Sequence, residues 1–123
     1  MKRILLLLTV FAAVTGILFA RNISYIEQTS SWYYLYDTDG KKYKTISASS
    51  GVLQGYSADM FILKSGNSWY YIYDAEGKKV KTMSVSSVGE IVSVSGRTFT
   101  SINGAWLYTW DMNGKKISSR TAR

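Results

Sequence analysis

Trp32, Trp69 and Trp106 stand 37 residues apart, and Lys42, Lys79 and Lys116 keep the same step. An indole near an ammonium group can stack on a sugar ring or an unpaired base while drawing in negative charge. Bases held on aromatic side chains gain about 1–3 kcal/mol each. These six residues form the candidate ligand-binding set. A plainer reading has the aromatic stripe (Trp32, Tyr34, Tyr36 and its two copies) fill the interior, with each stacked pair adding roughly 0.5–1.5 kcal/mol beyond burial. Leu, Ile and Val are sparse after residue 20, so the rings are expected to supply core bulk, and the core reading is favoured.

The lysines recur in clusters: Lys41, Lys42 and Lys44, then Lys78, Lys79 and Lys81, then Lys115 and Lys116. Aligned, they would make a basic rim suited to a phosphate, an anionic lipid or a cell-wall polyanion. Edge protection is the favoured alternative, because Lys on an outer strand discourages sheet-to-sheet pairing. Acidic residues at the neighbouring turns also offset the field.

Asp37, Asp74 and Asp111 share the step, and each begins Asp-x-[Asp/Glu/Asn]-Gly. A calcium loop needs about six to eight oxygens, and here Lys-Lys follows the glycine directly. The motif is expected to close a hairpin, with the carboxylate capping backbone N–H groups and Gly supplying a positive φ. Only Glu27, Asp59 and Glu90 lie outside these corners. The chain has no His and no Cys, which removes the commonest general base, the soft-metal ligands and the usual nucleophile–base pairs. No phosphate-cradling Gly-rich loop is present. No catalytic residue, metal or cofactor is expected, and a hydrolase built on paired carboxylates is the least favoured reading.

The elements that must position these residues follow from the repeat. SWYYLYDTDGKKYKTISASS (31–50) and SWYYIYDAEGKKVKTMSVSS (68–87) are the fullest copies, and AWLYTWDMNGKKISSRTAR closes the chain. A fixed period of this length means stacked units, none able to bury its hydrophobic face alone. Inside each copy the alternation has period two, which argues for strands. Trp69, Tyr71 and Tyr73 share one face, and Tyr70 and Ile72 the other. Further strands are expected over 51–57 and 60–64, and over 90–95 and 98–102, with return strands after each Lys-Lys. Each unit is then a four-stranded antiparallel meander. The first lacks its opening strand, because the aligned residues (14–21) fall in the apolar N-terminal segment. The expected fold is all-β, with eleven strands in about three blade-like repeats forming a partial propeller or curved sheet.

The segments VGEIVSVSGRTFTSINGAWLYTWDMNGKKI and DMFILKSGNSWYYIYDAEGKKVKTMS resemble β-propeller blades, over most of residues 22–123. Propellers close with about four to eight blades. The resemblance therefore implies either an open sheet or ring completion by self-association, for example two chains giving six blades. SWYYLYDTDGKKYKT and SWYYIYDAEGKKVKT also resemble the aromatic hairpins of choline-binding and glucan-binding repeats, over one hairpin per unit. That family's period is shorter and carries a Gly-Trp pair that is missing here.

Lys2 and Arg3 precede an apolar run over residues 4–20, with small residues near its end. This is the pattern of a secretory signal, and Ala20 offers a cleavage site. An uncleaved anchor in the inner membrane is the alternative, since a span needs about 17–25 residues. The chain divides into a leader (1–20) and a β-repeat domain (21–123), with units over about 21–50, 51–87 and 88–123. The expected location is the periplasm or the exterior. The formal charge is +7 from 15 basic and 8 acidic residues, and removing Lys2 and Arg3 with the leader leaves +5. That surplus serves solubility and would suit an anionic glycan or other polyanion. Self-association is the favoured partnership, nucleic acid is disfavoured, and a membrane is expected only through residues 4–20. The reading is an exported non-catalytic module for protein interaction or self-assembly in the cell envelope, with glycan or polyanion binding as the alternative.

Overall fold

A computed structural model describes residues 21–122; the expected leader, 1–20, lies outside the described residues. The fold is all-β. Eleven strands run in chain order: β1 (Tyr25–Gln28), β2 (Trp32–Tyr36), β3 (Lys42–Ser47), β4 (Val52–Tyr56), β5 (Met60–Ser65), β6 (Trp69–Asp74), β7 (Lys79–Ser84), β8 (Glu90–Ser95), β9 (Thr98–Asn103), β10 (Trp106–Asp111) and β11 (Lys116–Thr121). They form three antiparallel meanders, β1-β2-β3, β4-β5-β6-β7 and β8-β9-β10-β11. These are the blade-like units read from the sequence, the first with three strands and the others with four.

The corners close as their chemistry dictates. Asp37 Oδ1 accepts the N–H groups of Asp39 at 2.9 Å and Lys41 at 3.0 Å. Asp74 and Asp111 repeat both bonds at the same distances. Gly40, Gly77 and Gly114 take φ values of 77, 84 and 85°, a region open to glycine at little cost.

The serine-rich links differ slightly from expectation. The return strand β7 ends at Ser84, and Val85–Val88 forms one helical turn, α1, matched by a 3-10 turn over Ala48–Ser50. Gly89 then opens β8 at φ 88°, where a Cβ would run into the carbonyl of Ile102 and into Asn103.

Packing follows one rule used twice. Ile26, Tyr33 and Leu35 of the first sheet bury against Phe61, Leu63 and Tyr73 of the second. On the reverse side of that second sheet, Met60, Ile62, Tyr70, Ile72 and Met83 bury against Phe99 and Trp110 of the third. The front of the second sheet and of the third, the side carrying the tryptophan, is thus covered by the back of the sheet before it. The middle sheet is buried on both sides, which explains the unbroken apolar run Met60-Phe61-Ile62-Leu63 where an outer strand would alternate.

The expected aromatic core is corrected here. Trp32, Trp69 and Trp106 keep 44, 46 and 46% of their surface exposed. Of the nine rings in the stripe only Tyr73 and Trp110 are buried. The tryptophans open their strands, where the stacked faces have already ended, so covering a face does not cover its indole. The interior is filled by Ile, Leu, Phe, Met and Val, and by Tyr33 and Tyr70 from the opposite face.

Tyr70→Ala should therefore cost about 3–5 kcal/mol, the range for emptying a large aromatic site in a core. Trp69→Ala, one residue away on the other face, should cost about 1 kcal/mol or less. Urea denaturation of both variants measures the difference.

Candidate functional site

Each of the six candidate residues falls on the front face of its sheet, but at two separate ends. Trp32 pairs with Ser47, and Lys42 lies across from Tyr36. At about 3.3 Å per residue the two ends are about 13 Å apart along β2. Tyr34 sits between them. The other units repeat the arrangement, with Tyr71 and Tyr108 in the middle.

The lysines do not project freely. Lys42 Nζ stands 3.9 Å from the ring centroid of Tyr34, Lys79 Nζ 3.8 Å from Tyr71 and Lys116 Nζ 3.8 Å from Tyr108. An exposed cation–π pair of this kind contributes about 0.5–1 kcal/mol. A bulge brings the ammonium there. The register of each return strand slips by one residue after Leu35, Ile72 and Thr109. Tyr43, Val80 and Ile117 absorb the slip, so Lys42 faces front while Lys44 faces back. Lys44 then lies over Gly77 of the next unit, and Lys81 over Gly114. The lysine clusters are thereby divided between two faces rather than gathered on one rim. All three return strands are outer strands of their sheets, where lysine opposes edge pairing.

Among the described residues nothing covers the front of the first sheet, which carries several aromatic rings. Tyr25 is 54% exposed across from Tyr36, at the opposite end of β2 from Trp32, and Tyr34 and Tyr36 are half-buried. Tyr36 donates to Glu27 Oε1 at 2.7 Å, and that bond holds its phenol above the ordinary value, with burial adding to it. Where β2 begins, Trp32 borders a shallow groove with Ser30, Ser31, Ser47 and Ser49.

A second feature joins the units. A cleft of about 250 Å³ is lined by Arg21, Asp59, Asp74, Glu76, Arg97 and Asn113, among others. Two of its carboxylates are already engaged: Asp74 caps its turn, and Glu76 Oε2 accepts the Arg21 backbone N–H at 2.7 Å. Among the described residues no three acidic side chains converge to hold a metal ion. Nor, among them, is any helix long and apolar enough to cross a membrane.

Buried phenols link the units and were not singled out from the sequence. Tyr33 donates to the Gly51 carbonyl at 2.7 Å, and Tyr70 to the Gly89 carbonyl at 2.6 Å. Tyr43 donates to the Ala75 carbonyl at 2.5 Å. Burial, and next the charge of Glu76, push the Tyr43 phenol up to about 12. Burial also raises Tyr70 and Tyr73. The available signal was the repeat itself, since Tyr33 and Tyr70 recur at a step of 37 while position 107 is Leu.

No protein-family model and no curated protein matches this chain.

The Tyr43 phenol has a pH consequence. Its folded value lies above the unfolded value of 10.0, so the contribution is complete below pH 10 and declines as pH rises toward about 12. Tyr43→Phe should lose about 1 kcal/mol at neutral pH through the missing hydrogen bond. It should also flatten the alkaline decline, leaving the part due to Tyr36, Tyr70 and Tyr73. Denaturant midpoints between pH 7 and pH 12 test both effects.

Proposed function

We propose that this chain is an exported, non-catalytic β-repeat module of propeller-like blades that works through its sheet surfaces, in protein interaction or self-assembly in the cell envelope. The supporting observation is the contrast between sheets. The middle sheet is covered on both faces, whereas the first presents Tyr25, Trp32, Tyr34 and Tyr36 on a face that no other described residues cover. The equivalents of Tyr25 in the other units, Phe61 and Phe99, are each 1% exposed. A face built to the same pattern and left open is a surface prepared for association. The three described sheets are also fewer than the roughly four to eight blades of a closed ring. The leader expected over residues 1–20 supports export, by cleavage or as an anchor.

A second reading has its own support. The Trp32 groove is lined by serine hydroxyls, and each unit sets an exposed indole and a lysine on one face. Exposed aromatics with small hydroxyl side chains suit a glycan, and the lysines would favour an anionic one.

Sedimentation of the protein over a concentration series separates the two. Self-assembly predicts a mass that rises with concentration, and an affinity weakened at least about tenfold by Tyr25→Glu, equivalent to about 1.4 kcal/mol. A monomer at every concentration that is retained on anionic glycan, and released by salt, would replace the first reading with the second.

A further inference from the structure

The geometry points to a second copy of this chain as the occupant of the open front face, docked head-to-tail by the back of its third sheet. This inference rests on the self-assembly reading and names the contact through which it works. Inside the chain, the front of one sheet is covered twice by the back of the sheet before it. Among the described residues, the two faces left over are the missing halves of that same contact: the front of β1-β2-β3 and the back of β8-β9-β10-β11. A contact between unlike faces is heterologous and closes into a ring where the rotation allows. Two copies joined at both ends would bring six sheets together, within the range of closed rings.

Position by position, the leftover faces depart from the covered ones in matching ways. In the covered contacts a back-face tyrosine, Tyr33 or Tyr70, donates to Gly51 or Gly89, the glycine that leads into the next unit's first strand. The first sheet has no such strand among the described residues. At the other end the tyrosine is replaced by Leu107, which needs no acceptor. The third sheet therefore brings no back-face phenol that would need an acceptor in the joined contact.

Charge follows the same logic. Glu27 pairs with Tyr34 as Leu63 pairs with Tyr71, and Arg120 pairs with Leu107 as Ile46 pairs with Tyr33. Ile46 and Leu63 belong to one packed cluster. The same docking between copies sets the Arg120 guanidinium against the Glu27 carboxylate, a pair that opposes wrong registers.

The corners agree as well. Lys44 covers Gly77 and Lys81 covers Gly114, whereas nothing lies within 4 Å of a Cβ placed at Gly40. The back-face position equivalent to Lys44 and Lys81 in the third unit is Ser118, across from Thr109. Ser118 of one copy therefore belongs over Gly40 of the next.

The chain has no cysteine, so introduced thiols report this contact cleanly. Gly40→Cys and Ser118→Cys are made separately in the full chain, mixed, oxidised and separated by mass. Lys44→Cys with Gly77→Cys in one chain closes at a covered corner and sets the yield expected of the geometry. The proposal expects a crosslinked pair that requires both single variants. It also expects Glu27→Arg and Arg120→Glu each to weaken assembly about tenfold, and the two together to restore it. Assembly that crosslinks only 40 to 40 or 118 to 118, or that ignores both charge changes, overturns head-to-tail docking and leaves self-assembly standing. A chain that shows one copy's mass and no crosslink overturns both.

Discussion

Two phenol hydroxyls carry this fold from one unit into the next. Tyr33 and Tyr70 each pass under the following sheet and give their proton to the carbonyl of a glycine, at 2.7 and 2.6 Å. A buried hydroxyl without a partner costs about 1–3 kcal/mol, so the tyrosine holds its neighbour in one register. The glycine is equally constrained. At Gly89 a side chain would collide with the Ile102 carbonyl, and the backbone needs a positive φ. Anchor and receiver define one another across 18 and 19 residues of chain, about half of the 37-residue repeat.

From that contact follows the unequal treatment of the three sheets. Only the middle one has a neighbour on each side, and only there do both faces carry large apolar residues throughout. Stability in such a stack is close to a sum of units and the contacts between them. The end sheets each contribute one contact and expose the other face. The third sheet softens its open face with Thr100, Thr109 and Arg120, and the first softens its own with Glu27. The aromatic rings of the first sheet are not softened, and these place its surface at the centre of any functional reading.

Strand number, hairpin corners and meander order were legible in the residues. The Asp-x-x-Gly-Lys-Lys corner dictates a turn through the reach of a carboxylate and the freedom of glycine, both local properties. Period-two alternation marks the strands for the same reason. The candidate site was legible only in part. Both faces of a repeat strand are aromatic or aliphatic, so alternation separates the faces without saying which one is covered. The indoles were therefore assigned to the core, when their position at the start of each strand leaves them beyond the stacked area. The bulge after Leu35 was equally invisible, because Lys42 and Lys44 alternate as an unbroken strand would. It sends one lysine to a tyrosine ring and the other to the next corner.

Local chemistry alone settled that this chain makes three like meanders of short strands, with no histidine or cysteine to act with. Turn geometry and strand periodicity need only neighbours within a few residues. Which rings are buried, how the lysines divide between faces, and which sheet surfaces stay open were decided by the stacking of one unit on another. Those outcomes depend on residues 18 to 32 positions apart meeting across a contact, and no short stretch of chain encodes such a meeting.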